Sequence, residues 1–561
     1  MLKLIEMRNI SMKKRSNLFL LTLLSLTLTG CTINFVVGDS TSDKTSNSNS
    51  ESTSVSTPTS DSDDSISINY DTDRFVRLYA INDFHGAVNE NALNSEPGIV
   101  KLGAYLKEKK SEGNTLLINS GDMWQGSIES NYNRGNLLTD CMNNIEFDCF
   151  TLGNHEFDWG QKYIQLNRER SSTTGYQTPF LASNIYEFDI GTKTVGEYAD
   201  LGDKYVIRDL DNGLRVGIIG VIGKDQITSI TSQYVDDINF NDPTSVVKTL
   251  SDELRTEHSV DVVILDCHTD QSTITGTNYN DDDLVDRNQI TSVSNVSKQR
   301  YVDAVFCAHS HWEEKAMING VPFIQGGSYG KYISNVELYV DTNGNVTCET
   351  YKNLKSTTVT KGYYDEELAE LVNTYKQVSD EASNEVLGTF NGQFMSSGSL
   401  PNLVCEAIAE YATKSGYDIS YAMVNNARAT VDSGTVTYGG LYRALPFDNE
   451  IFIIDALGST LKTELEYDSN FMCRLDSERI DVNKTYRIAV IDYLATHRNS
   501  KRDYNYFPGM TIVGKLEKDG YDIYNYRDVT ADYIREKGSF DYWNYLSTKD
   551  KFNTNKINSA I

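Results

Sequence analysis

No Cys-x-x-Cys pair occurs in this chain of 561 residues, and its eight cysteines are widely spread, so neither a thiolate metal site nor a dense disulfide scaffold is written into it. Cys267 and Cys307 end apolar runs and read as small buried hydrophobes, whereas pairing of Cys141 with Cys149 stays open. Basic side chains are also scarce. Against 79 Asp and Glu stand 51 Lys and Arg, a formal charge of −28 at pH 7. Such a chain lacks the clustered cations that displace counterions from a nucleic-acid polymer, which excludes sequence-independent binding to one. A small anionic ligand is not excluded, because charge local to a site decides that. Long apolar runs are the third scarcity: Leu18 to Leu28 is the single candidate, and it is too short for a stable bilayer span.

That run follows Lys13, Lys14 and Arg15 and leads into Leu28-Thr29-Gly30-Cys31. A basic start followed by a short apolar core predicts export, and the closing residues resemble a bacterial lipobox in which Cys31 would be acylated. Residues 1–31 are then a lipoprotein signal peptide. The body would sit at the cell membrane on the extracellular or periplasmic side, held by its lipid anchor alone. From about Asp39 to Asp73 the chain is nearly all Ser, Thr, Asp and Asn with one Pro, too polar to bury a core. Residues 32–73 are predicted to be a disordered linker, a stalk that gives the tethered body reach.

From residue 74 to about 360, apolar runs alternate with helical stretches such as Val100 to Lys110, Leu137 to Asn144 and Ser245 to His258, the pattern of a layered α/β domain. Tyr364 to Val386 places Leu368, Leu371, Val372, Tyr375 and Val378 on one face and predicts a connecting helix over about 361–386. Residues 387–561 are long enough for a core of their own. They predict a helix from Leu400 to Thr413 and strands at Tyr421 to Asn425, Glu450 to Leu457 and Thr485 to Leu494.

Five apolar runs in the first region each lead to a short polar segment. Phe75 to Ile81 leads to Asp83-Phe84-His85, Thr115 to Ile118 to Gly121-Asp122, and Phe147 to Leu152 to Gly153-Asn154-His155-Glu156. Val260 to Leu265 leads to His268, and Val302 to Cys307 to His309-Ser310-His311. Five of the chain's seven histidines lie in these segments. Loops at strand ends are where α/β scaffolds carry chemistry. Asp, Asn and His together offer oxygen and imidazole nitrogen but no thiolate, a set suited to hydrolytic divalent ions. A pair of ions needs a carboxylate between them, and the lone Asp122 after a glycine is a good candidate.

These motifs resemble those of the bacterial and animal 5'-nucleotidases, members of the calcineurin-like metallophosphoesterases. Pro179 to Ile185, Val216 to Val221 and Gly326-Gly327-Ser328-Tyr329-Gly330-Lys331 match as well, so the resemblance covers most of the chain beyond the stalk. It implies a four-layer αββα domain joined by a helix to a C-terminal α/β domain that binds substrate. It also implies two divalent metal ions, Zn, Mn or similar, one held by Asp83, His85, Asp122 and His311 and the other by Asp122, Asn154, His268 and His309. His155 and Asp158 would be the catalytic dyad. Ala308 stands where the family usually has Gly, and one methyl group is not expected to remove the metal.

In the C-terminal region, Arg428, the stretch Gly434 to Tyr438, and Pro446-Phe447-Asp448-Asn449 resemble the family's substrate domain at matching spacing. The resemblance implies that Arg428 contacts phosphate, which suits a planar guanidinium. It implies that Phe447 stacks on a nucleobase, with Asn449 beside it and Tyr493 as the second aromatic. Departures stand out as well. Val424-Asn425-Asn426-Ala427 replaces a glycine-rich stretch, and asparagine tolerates the left-handed backbone of such a turn. Phe394 to Leu400 lacks the family's further arginines. His497-Arg498-Asn499-Ser500-Lys501-Arg502-Asp503-Tyr504 replaces a Gly-Gly-Asp-Gly-Tyr segment and reads as a solvated basic loop or a substitute source of phosphate contacts.

The function so implied is that of a surface-anchored, dimetal-dependent 5'-nucleotidase whose partner is a small-molecule nucleotide, hydrolysed to nucleoside and phosphate. Within the same chemistry the alternative is a 2',3'-cyclic nucleotide phosphodiesterase or a nucleotide-sugar hydrolase. Outside it the alternative is a non-catalytic surface binding protein or adhesin. Oligomeric state has no signature in the sequence.

Overall fold

The computed structural model describes residues 74–271, 287–466, 480–499, 501–521 and 523–545. Cys31, Cys473, Ser500, the predicted signal peptide and the predicted stalk lie outside the described residues.

Two six-stranded sheets form the first region. One runs in the order Val346–Lys355, Tyr332–Val340, Phe75–Ile81, Thr115–Asn119, Cys149–Thr151, Phe180–Leu181, the last four strands parallel. The other runs Glu313–Ile318, Val321–Gly326, Ala304–Cys307, Val262–His268, Arg215–Ile222, Tyr205–Asp209, parallel except at its two edges. Successive side chains on a strand point to opposite faces, and here both faces are covered. Val76, Leu78 and Ala80 of one sheet meet Val216, Ile218, Val262 and Ile264 of the other in a dry layer. Tyr79 and Ile81 point outward to Leu102, Leu106, Leu137 and Leu138 on helices Gly98–Ser111 and Asn136–Ile145. On the far side Val263 and Leu265 pack under Val247, Leu250 and Leu254 of helix Pro243–Thr256. The result is the expected four-layer αββα arrangement, and burial on both faces is why its strands read as continuous apolar runs rather than alternating ones.

Helix Glu366–Ser383 begins where the Asp365 carboxylate accepts the Leu368 N–H at 2.9 Å, an N-cap that fixes its start inside the predicted span. Leu368 and Val372 join the core beneath the first sheet, with Leu371 and Tyr375 half-buried beside them. Val378, predicted on the same face, is exposed, because the buried stripe continues at Ser379, one residue further round the helix. Beyond it lie sheets of four and three strands around one core. The run Thr485 to Leu494 divides: the strand ends at Ile491 and a short helix, Asp492–Thr496, takes over.

In the basic loop Lys501 and Asp503 are exposed, but its arginines bind protein rather than waiting for phosphate. Arg498 pairs with Asp236 through Nε and Nη2 at 2.7 and 3.0 Å. Arg502 donates to the Ile238 carbonyl at 2.5 Å and lies 4.8 Å over the Phe188 ring. The Asp236 carboxylate and the Val235 and Ile238 carbonyls supply the acceptors, so the loop fastens the C-terminal region to the layered domain. Cys141 and Cys149 are free and face opposite sides of the first sheet. Cys267 and Cys307 are buried as expected. Among the described residues no helix is long and apolar enough to cross a membrane.

Candidate active site

The five polar segments converge beyond the carboxyl ends of the parallel strands, the usual crevice of such sheets. Asp83, His85, Asp122, His309 and His311 all take left-handed backbone, with φ of 47, 47, 54, 75 and 63°. Each such residue costs about 1–3 kcal/mol when it is not glycine. Cross-loop hydrogen bonds hold them there: Asp83 N–H donates to Gly121 O and His85 N–H to Asp122 O, both at 3.0 Å, and His309 N–H donates to the Asp83 carboxylate at 2.9 Å. Gly153 is required on steric grounds, since a Cβ there would run into the Asp122 carboxylate.

Donor atoms of Asp83, His85 and His311 lie within 4.8 Å of one another, as do those of Asp122, His268 and His309. The His85 Nδ1–H donates to Gln125 O at 3.0 Å, so the lone pair of Nε2 is turned inward, 2.9 Å from His311 Nε2. In the second group His268 Nδ1–H donates to Ser120 O at 2.7 Å and frees Nε2 in the same way. The Asn154 Oδ1 stands 2.9 Å from His309 Nδ1 and 3.2 Å from His268 Nε2. One atom faces both groups: Asp122 Oδ2 is 3.8 Å from His85 Nε2 and 3.3 Å from His268 Nε2. Imidazoles fixed in the ligating tautomer by carbonyls, around a shared carboxylate, fit a pair of divalent ions.

Burial pushes the His85 imidazole down to about 3 and the Asp83 carboxyl up to about 7. Burial also opposes charge on His155, but Asp158 and Asp122 outweigh it and hold that imidazole up at about 9. His155 Nδ1 and Asp158 Oδ2 are 2.8 Å apart, which leaves Nε2 for a substrate. Glu156, fully buried, accepts the N–H groups of Asp122, Met123 and Gly153 at 2.9, 2.9 and 2.8 Å and so sets the loop that carries the shared carboxylate.

A cavity of about 250 Å³ opens beside Asn154, His155 and His309. Its far wall comes from the C-terminal region: Arg428, Phe447, Asn449 and Tyr493 all line it. The Phe447 ring stacks on that of His155 with centroids 6.0 Å apart and planes at 19°, and the Arg428 guanidinium lies 4.9 Å from the Phe447 ring centre. Arg527, buried against the Tyr442 ring, fixes this wall by donating to Phe447 O at 3.2 Å and to Asp448 Oδ1 at 2.5 Å. Arg134 reaches Asp448 from the layered domain at 3.2 Å, so both regions frame the cavity.

Residues 76–313 match the family described as calcineurin-like phosphoesterase, and residues 383–474 match the 5'-nucleotidase C-terminal domain. The chain is a calcineurin-like phosphoesterase carrying a 5'-nucleotidase C-terminal domain. It is therefore a metal-dependent phosphoric ester hydrolase. An endonuclease of Bacillus subtilis, YhcR, is 24% identical over 426 residues, covering 69% of this chain but 32% of that longer protein. An apyrase of Tabanus yao is 25% identical over 439 residues, covering 69% of this chain and 72% of its own. The crystal structure of a 5'-nucleotidase precursor from Thermus thermophilus superposes with a TM-score of 0.59 at 17% identity, over 83% of this chain and 97% of that one, a likeness of fold.

The sequence points to the polar segments of the crevice and to Arg428, Phe447, Asn449 and Tyr493 on its far wall, but not to the rest of the lining. Glu156 closes the segment Gly153-Asn154-His155-Glu156, and only its burial reveals its task. Ser229, Thr231 and Tyr234 line the cavity from the layered domain, in short 3-10 turns without periodicity. Asp492 lines it too, its carboxyl pushed well up by burial and by Glu450. Asn425 and Asn426 do not adopt the left-handed turn anticipated for them. Instead Ala427 N–H donates to Ser396 O at 2.9 Å and Arg428 N–H to Ala444 O at 2.8 Å. Ala308 is fully buried and its N–H donates to Thr269 O at 3.0 Å, so its methyl group is accommodated beside the crevice.

Proposed function

We propose that this phosphoesterase is a 5'-nucleotidase that hydrolyses extracellular nucleotides to nucleosides and phosphate. Phe447 carries the reading, because its stacking on His155 at 6.0 Å sets an aromatic face for a nucleobase next to the dyad. Asp83, His85, Asp122 and His311 would hold one divalent ion, and Asp122, Asn154, His268 and His309 the other. Ions bound there would supply Lewis-acid polarisation of the phosphoryl oxygens and an acidified water as nucleophile. Binding, orientation and proton movement fall to the chain itself. Arg428 takes a phosphoryl oxygen, Phe447 and Tyr493 hold the base and Asn449 its edge. His155, oriented by Asp158, delivers a proton from Nε2 to the departing nucleoside oxygen. The intact donor set and dyad speak against a non-catalytic adhesin. With Arg428 the one guanidinium among the described residues that line the cavity, a 2',3'-cyclic monophosphate, which carries a single negative charge, is the second reading.

Phosphate release from AMP by the Mn-loaded protein tests the main reading. Phe447→Ala is expected to lower kcat/KM for AMP by about 5- to 150-fold, the worth of one base–aromatic stack, and to lose far less on p-nitrophenyl phosphate. Equal losses on the two esters would mean that Phe447 supports His155 and reads no base.

Anchoring through Cys31 is supported by the lipobox resemblance. The wild-type chain is expected to take up labelled palmitate and Cys31→Ala not to, as read on the immunoprecipitated protein; equal labelling of the two, or none of either, would overturn the anchor.

A further inference from the structure

Gly326 to Lys331 supplies no ligand to either donor group, yet it is fastened to the first of them repeatedly. It leaves the second sheet at the end of Val321–Gly326, a strand parallel to Ala304–Cys307, and so begins at the crevice before entering Tyr332–Val340 of the first sheet. Asn82, beside Asp83, accepts the Gly326 N–H at 2.9 Å and donates to Gly327 O at 2.6 Å. Gly327 N–H donates to the carbonyl of Trp312, beside His311, at 3.0 Å, and Tyr329 N–H donates to Asp83 O at 2.8 Å. The turn thus ties the Asp83–His85 segment to the His309–His311 segment.

Two adjacent residues of this turn are left-handed, Tyr329 with φ 57° and Gly330 with φ 66°. Glycine is needed at 330, where a Cβ would stand 2.9 Å from the Phe84 ring. A bulky residue at 329 is strained, and strain of that kind points to a task for its side chain. The Tyr329 ring lies 5.6 Å from the His85 ring and 5.9 Å from the His311 ring, with planes at 44 and 83°, and Lys331 Nζ is 5.1 Å from its centre. Among the described residues it makes no ring contact with His268 or His309.

The need for it lies at His311. His85 and His268 are each held through Nδ1 by a carbonyl, Gln125 O and Ser120 O. Among the described residues no hydrogen bond reaches His311 Nδ1, and its side chain is 37% exposed. A ligating imidazole whose other nitrogen is untethered needs another means of orientation. An aromatic ring packed edge to face against it supplies one.

Resting on the two-ion assignment, we infer that Tyr329 is a positioning residue whose ring holds the His311 and His85 imidazoles in the orientation that binds the first ion. The second group does not depend on it.

The test is calorimetric titration of the metal-free full chain with Mn, wild type beside Tyr329→Gly, which takes left-handed backbone freely, and Tyr329→Phe, which keeps the ring. Wild type is expected to take up about two ions. Tyr329→Gly is expected to bind one of them as wild type does and the other about 10- to 100-fold more weakly, with a thermal midpoint within about 5 °C of wild type. Tyr329→Phe is expected to stay within about threefold of wild type. On a His311→Ala chain, whose first group is already broken, adding Tyr329→Gly should change the affinity for the remaining ion by less than about twofold. Tyr329→Asn, also tolerant of left-handed backbone, takes the place of Tyr329→Gly if that chain does not fold. Wild-type affinity for both ions in Tyr329→Gly overturns the inference, as does equal weakening on the His311→Ala chain; either leaves the two-ion assignment standing. A loss in Tyr329→Phe as large as in Tyr329→Gly transfers the role to the hydroxyl and overturns that of the ring. A wild-type chain that holds a single ion overturns the assignment and the inference together.

Discussion

Asp122→Ala is expected to lower phosphoester hydrolysis by about a thousandfold or more, since the charge stabilisation at stake is several kcal/mol and each tenfold is about 1.4 kcal/mol. The effect is that large because one oxygen serves both halves of the site: Asp122 Oδ2 lies 3.8 Å from His85 Nε2 and 3.3 Å from His268 Nε2. Among the described residues Asp122 is the one carboxylate within 4.0 Å of histidines of both donor groups. Bound metal is therefore expected to fall from about two ions per chain to fewer than about one after dialysis. Asp122 Oδ1 also accepts the His155 N–H at 2.9 Å, so the alanine loosens the dyad as well. Asp122→Asn separates the contributions. It keeps the size and the acceptor for His155 but lacks the charge, and should lose metal and activity nearly as far. Full metal content in Asp122→Ala, measured by atomic emission on the folded protein, would remove the shared-ligand role.

What could be read from sequence divides along a physical line. The crevice was legible because its donors sit at or just past the ends of strands whose two-sided burial writes them as unbroken apolar runs, as at Phe75–Ile81 and Val262–His268. Rules that depend on distant partners were not legible. Arg498 meets Asp236 across a sequence separation of 262 residues, and a charge run carries no mark of the carboxylate it will find. Thr485 to Leu494 continued to look like a strand because Tyr493 and Leu494 are as apolar in a short helix as in a sheet. The switch at Asp492 is nonetheless what brings that carboxyl and Tyr493 to the cavity wall. Even the donor residues concealed their left-handed backbone. Asp and His carry no glycine signal, and the strain is borne because Gly121 O, Asp122 O and the Asp83 carboxylate each accept an N–H from a residue so placed, or from its neighbour in the crevice.

His155→Ala is expected to lower kcat for AMP by about 100- to 10,000-fold, the span of a positioned proton donor, while metal content stays at the wild-type level because His155 stands outside both donor groups. Two roles were open to this histidine from sequence: steadying the transferring phosphoryl group, or protonating the leaving oxygen. Its surroundings favour the second. Nδ1 is committed to Asp158 at 2.8 Å, and the ring lies under Phe447, at the nucleoside end of the cavity, where the departing oxygen must be. The leaving group then becomes the discriminator. Adenosine departs as a strongly basic alkoxide and needs the proton, whereas p-nitrophenolate leaves without one near neutral pH, so the variant should lose at least about tenfold more on AMP than on p-nitrophenyl phosphate. Asp158→Asn should follow the same pattern more weakly, since it removes the orienting carboxylate and leaves the imidazole in place. An equal loss on both esters would assign His155 to the phosphoryl oxygens instead, and the stacking on Phe447 would then be packing alone.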